Sequence, residues 1–107
     1  PETDPWDARM AELYCAAREV MLGVPGIAGV LQTRGGGERA RRLDRLSRSL
    51  LAEAGLTKTV AAAAHTVLYT YLLGSVSLDE ARGKATSTKR FRSGLGVIIA
   101  GIKASEG

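Results

Sequence analysis

The chain has 107 residues, of which 45% are hydrophobic and 24% charged, and a formal net charge of +4. That is enough chain for one modest core, and it is too apolar for a disordered segment. A single cysteine, Cys15, excludes an internal disulfide framework and suits a reducing, cytoplasmic setting.

Nothing near the start reads as a basic-then-apolar secretion leader. A chain opening on Pro1 is expected to be a fragment or processed product. Asp4-Pro5-Trp6-Asp7 predicts a helix start: an N-cap acceptor, proline at the first helical position, an acid in the first turn. Met10, Leu13, Tyr14, Ala17 and Met21 then recur every three or four residues, the helical period, up to a stop near Gly23. Val24-Pro25-Gly26 is a break, because proline disfavours helix at the residue before it. A short second helix is predicted over Ile27–Thr33, ending at Gly35-Gly36-Gly37, and a third over Glu38–Ala54 with Leu43, Leu46, Leu50 and Leu51 on one face. Gly55 supplies its stop, Thr57 caps a fourth helix reaching about Ala81, and Thr86 or Ser87 caps a fifth carrying Phe91 to Ala104. No strand pattern or repeat competes. The expected fold is all-α, one bundle of about five helices spanning residues 1–107, with short loops that make consecutive helices antiparallel.

Five arginines crowd the third helix: Arg39, Arg41, Arg42, Arg45 and Arg48. Such a run either holds phosphates or forms the wet side of a helix. Glu38 and Asp44 interrupt it and no aromatic is interleaved for base stacking, so the solvated face is preferred. The helix–break–helix of Val20 to Arg34 is not a DNA-reading motif either. Ile27, Ala28, Gly29, Val30 and Leu31 offer base edges almost nothing polar.

Thr59 to Leu78 carries no formal charge, but Thr59, His65, Thr66, Thr70, Ser75 and Ser77 are too polar for a lone helix in lipid, so no membrane partner is expected. The last two helices nonetheless hold more apolar surface than one core stripe requires. Each exposed Leu or Ile forgoes roughly 1.5–3 kcal/mol of burial. Gly74 on the fourth helix, and Gly94 and Gly101 seven apart on the fifth, would let a backbone approach closely. A two-fold homodimer through these helices is the preferred reading, with Tyr71, Gly74, Leu78, Gly94, Leu95, Val97, Ile98, Gly101 and Ile102 at the interface; packing within one chain is the alternative.

Four segments together resemble the C-terminal domain of the TetR family (tetracycline-repressor-like regulators). They are Met21-Leu22-Gly23-Val24-Pro25-Gly26-Ile27-Ala28, Leu31-Gln32-Thr33-Arg34, Ala54 to Thr57 with Tyr71 to Val76, and Phe91 to Ile102. The last is the most specific, and the set spans nearly the whole chain. The resemblance implies a dimeric transcriptional repressor of bacteria whose helical C-terminal domain holds a small-molecule pocket. In it, ligand binding repositions N-terminal helix-turn-helix heads and releases DNA. This chain is expected to start after those heads and to contact DNA only through them. It departs from the family in its short Arg82 to Lys89 connection, where a longer excursion is common.

Ligand sites in bundles lie between helices and are mostly apolar with a few placed polar groups. The first helix offers Met10, Leu13, Tyr14 and Ala17 on one face, and the third offers Leu46. Thr33 and Arg34 match the family's pocket segment. His65 and Tyr69, four apart, share a face of the fourth helix, with Thr66 beside them. The alternatives are simple core for Met10, Leu13, Tyr14 and Ala17, a satisfied structural histidine for His65 and a solvated terminus for Arg34. The expected effector is small and amphipathic or aromatic, and no cofactor or metal is implied. Enzyme chemistry lacks a metal cluster, a nucleophile constellation and a phosphate loop, since Gly35 to Gly37 is not followed by Lys-Ser/Thr. The competing function is a helical dimerisation or interaction module with a fully packed interior.

Overall fold

The computed structural model describes residues 5–34 and 37–105, and among these the side chains of all but 32–34. Five helices follow in order: α1 (Trp6–Leu22), α2 (Ile27–Arg34), α3 (Glu38–Glu53), α4 (Lys58–Arg82) and α5 (Thr88–Ala104). The described residues contain no strand, and the all-α expectation holds with boundaries within a residue or two. The helix ends show why. Thr57 accepts from the Val60 amide and Ser87 from the Arg90 amide, each satisfying an orphan donor of the first turn. After α4, Gly83 takes φ +67°, a left-handed turn that a side chain would oppose, which permits a connection of only five residues before α5. Of the two candidate caps for α5, Ser87 is used and Thr86 is not. The predicted cap Asp4 lies outside the described residues.

α1 and α4 form the axis of the bundle, with α3 on one side and α5 on the other. Surface ion pairs fix the directions. Arg9–Glu53 joins opposite ends of α1 and α3, while Lys103–Asp7 and Arg92–Glu12 run down the α1–α5 seam, so α1 is antiparallel to both. Such exposed pairs set register more than they add stability. The core alternates along these seams: Met10, Tyr14 and Met21 from α1, Leu43, Leu50 and Leu51 from α3, Leu68, Leu72 and Val76 from α4, Phe91, Leu95, Ile99 and Ile102 from α5. The short α2 touches α1 and α4 but not α3. That leaves a gap where α2 and the start of α3 diverge.

α4 has the length and composition of a membrane span, with mean hydropathy 1.2 over its most apolar window, yet Leu68, Leu72 and Val76 are fully buried in this bundle. One stripe is therefore core, and only 28% of that window is buried. On α5 the split is sharper. Leu95 and Ile102, expected at a dimer interface, belong to the interior stripe Phe91, Leu95, Ile99, Ile102 and are unavailable to a partner. Gly94 is also used within the chain. A Cβ there would clash with the Tyr71 hydroxyl, which donates to the Phe91 carbonyl at 2.9 Å while the Tyr71 and Phe91 rings stack at 5.0 Å. The glycine thus makes room for a ring of its own chain. Of the nine expected interface residues, Gly74, Leu78, Val97, Ile98 and Gly101 keep an outer face: nothing lies within 4 Å of either glycine, Leu78 and Val97 are 54% and 75% exposed, and Ile98 is half-buried.

Candidate functional site

The gap between α2 and α3 is a cleft of about 510 Å³, within the range of small-molecule sites. Its floor is α1, which contributes Leu13, Ala17, Val20 and Met21. One wall is Val24 with Ile27 and Leu31 of α2; the other is the first half of α3, from Gly37 through Arg39 and Arg42 to Leu43 and Leu46. Tyr69 closes it from α4. The cleft exists because α1 turns its apolar period toward two neighbours that do not reach each other. Val20, Val24 and Leu46 are left 48%, 43% and 43% exposed at its edge. Leu46, read from periodicity as part of the α3 core face, is in fact replaced there by Ser47, which is fully buried.

Ser47 has a reason to be inside. Its hydroxyl lies 2.8 Å from the Tyr14 hydroxyl and 3.2 Å from His65 Nδ1, and His65 Nε2 is 2.8 Å from an Asp44 carboxylate oxygen. Arg48 holds that carboxylate through its Nε, at 3.0 and 3.1 Å. With a neutral imidazole every donor finds an acceptor: Tyr14 donates to Ser47, Ser47 to Nδ1, and Nε2–H to Asp44. Burial, with Arg48 nearby, lowers the His65 pKa and favours that neutral ring despite Asp44. Burial likewise pushes the Tyr14 phenol up to about 12, against the Ser47 contact, so it remains a donor.

A serine, a histidine and an aspartate in a row have the outline of a hydrolytic triad, a constellation the sequence spacing did not suggest. The chemistry is absent. Ser47 is 0% exposed, its oxygen is already shared with Tyr14, and no substrate carbonyl can approach it. The row is a polar strut linking α1, α3 and α4 behind the cleft. Among the described residues, no group of three His, Cys, Asp or Glu side chains could hold a metal ion.

A second buried polar cluster lies at the other end of α1. The Arg18 guanidinium bonds Asp79 at 2.9 Å and the Thr86 carbonyl, and sits 5.0 Å above the Phe91 ring. Thr86 returns a hydroxyl to Asp79 at 2.7 Å. Burial raises the Asp79 pKa, but the Thr86 and Arg18 donors outweigh it and the carboxyl is lowered overall. α1 therefore carries the cleft floor and, one residue on from Ala17, the anchor of the α4–α5 connection.

The sequence-predicted site residues separate accordingly. Leu13, Ala17, Leu46 and Tyr69 line the cleft. Met10 and Tyr14 are fully buried behind it, not on its wall, and His65 belongs to the strut while stacking at 6.1 Å on Tyr69. Thr66 is exposed, does not line the cleft, and donates its hydroxyl to the Ala62 carbonyl one turn back. The side chains of Thr33 and Arg34 lie outside the described residues. Sequence reasoning missed Ser47, Asp44, Arg18 and Asp79, all of which read as ordinary polar positions on amphipathic helices. Arg39 and Arg42, read from the sequence as part of a solvated face, are exposed and also stand at the rim of the cleft.

Comparison with known proteins gives one result. The family model described as "Tetracyclin repressor-like, C-terminal domain" matches residues 1–90, which leaves the resemblance in Phe91 to Ile102 outside the matched span. Searches of curated proteins and of solved structures returned no match. The match covers α1 to α4 with both polar clusters of α1, and proteins of this kind are transcription regulators; the chain belongs to the tetracycline repressor-like C-terminal domain family.

Proposed function

We infer that this chain is the effector-sensing and dimerising domain of a transcriptional repressor, with the α1–α2–α3 cleft as the effector site. The observation that carries the reading is the cleft itself: about 510 Å³ walled by aliphatic side chains, with Val20, Val24 and Leu46 half-exposed around it. Apolar surface left open in this way lowers its free energy by covering a small amphipathic or aromatic molecule. Two copies meet through Gly74, Leu78, Val97, Ile98 and Gly101, where no side chain of the same chain fills the space over the glycines. Effector binding tilts the balance between two dimer arrangements and frees DNA held by a helix-turn-helix domain outside this chain. A coupling of about 1–3 kcal/mol suffices. The setting is the bacterial cytoplasm.

Support for the coupling comes from α1, whose Ala17 and Val20 face the cleft while Arg18 anchors the α4–α5 connection. The test is thermal unfolding with a panel of amphipathic aromatic compounds, run on the protein and on an Ala17→Phe variant that fills the cleft. A sensor gains stability with a ligand and loses that gain when the cleft is filled. A packed interaction module shows no gain from any compound, and that result would end the sensor reading.

A further inference from the structure

The five arginines of α3 divide into two groups by what they touch. Arg41 and Arg45 both bind Glu38, at 3.3 and 3.2 Å, and Arg48 binds Asp44. Arg39 and Arg42 have no carboxylate partner among the described residues, and these two line the apolar cleft. Three apart on a helix, they project on the same side, within range of a single head group at the lip. The acid at that lip, Glu38, is already held by two cations from outside the cleft. The lip is therefore electropositive and the walls below it, from Leu13, Ala17, Val20, Ile27 and Leu43, carry no side-chain donor or acceptor.

Resting on the sensor reading above, we propose that the effector is an amphipathic organic anion: an apolar body in the cleft and one carboxylate-type head received by Arg39 and Arg42. The forked donors of arginine match a carboxylate in two-point contact, and both residues are exposed and open to it. A purely apolar molecule would use only the walls. An amphipathic cation would meet two like charges at the lip and is disfavoured.

Three probes with one body and different heads decide this: decanoate, decanamide and decylamine, each titrated by calorimetry into the protein and into an Arg39→Gln/Arg42→Gln double variant whose helicity is checked by circular dichroism. Decanoate binds the protein about ten-fold or more tightly than decanamide, as two charge-assisted contacts require, and decylamine binds most weakly. In the double variant the advantage of decanoate disappears while the affinity for decanamide is unchanged. Decanamide binding as tightly as decanoate, or an advantage that survives in the double variant, overturns the anion proposal and leaves the cleft as a neutral site. If none of the three binds, the anion proposal falls, while the sensor reading is decided separately by the aromatic panel and the Ala17→Phe variant.

Discussion

Asp79→Ala is the most exacting test of the fold. Arg18 and Asp79 have side chains only 2% and 3% exposed, so both charges have given up their water. Removing the carboxylate leaves the guanidinium with the Thr86 carbonyl, the Phe91 ring face and only a solvent-exposed carboxylate, Glu19 at 3.6 Å, and strips the Thr86 hydroxyl of its acceptor. Breaking a buried pair on one side costs about 3–5 kcal/mol, against a total stability for such a domain of about 5–15 kcal/mol. At about 4–8 °C per kcal/mol, the melting temperature falls by at least about 12 °C. Urea titration followed by helical circular dichroism at pH 7 measures the loss directly. Arg18→Met combined with Asp79→Leu recovers most of it, since apolar pairs of similar size replace buried ion pairs at little cost. Sign and pH agree: the Asp79 carboxyl is lowered in the folded state, so its contribution is complete above the usual carboxylate pKa and is lost as pH drops through the folded value. A cost below about 1 kcal/mol, the size of an exposed pair, would refute the burial argument.

Gly94→Ala destabilises the chain although alanine favours helix, because the new methyl meets the Tyr71 hydroxyl; overpacking of this kind costs about 1–3 kcal/mol, and a Tyr71→Ala background, scored by a double-mutant cycle in urea, removes the penalty. Burial holds the His65 pKa below its ordinary 6.5, so the folded chain resists binding that proton and stability declines as pH falls below about 6.5 toward the folded value. His65→Gln flattens that decline in the urea midpoint between pH 7.5 and 5. Ser47→Ala orphans the Tyr14 hydroxyl and His65 Nδ1, for a loss of about 1–3 kcal/mol in the same assay. Val97→Glu with Leu78→Arg leaves circular dichroism intact and converts the proposed dimer to monomer in sedimentation; an unchanged association state would remove the α4–α5 face from the proposed interface.

Element boundaries were legible because they depend on local chemistry. Thr57, Gly83 and Ser87 act on backbone groups within a few residues of themselves, so their roles are written in order along the chain. The inner stripe of each helix was legible in part, where periodicity was unambiguous. On α3 the pattern pointed to Leu46 where the core holds Ser47, because a serine can occupy a core position only if partners from α1 and α4 arrive to satisfy it. No property of the α3 sequence alone announces those partners.

What the order of residues determined by itself was the number of helices, their ends, and the surplus of apolar surface on the last two. Tertiary packing decided how that surplus was distributed. It drew Leu95 and Ile102 inward, gave Gly94 to Tyr71, and left Val97 and Gly101 outside. It also decided that α2 stops short of α3, and so opened the cleft and set two of five arginines at its lip. The division has one physical cause: helix ends are settled by contacts within a turn, whereas cavities and buried charge pairs depend on which surfaces meet across long stretches of chain, as Arg18 and Asp79 do 61 residues apart.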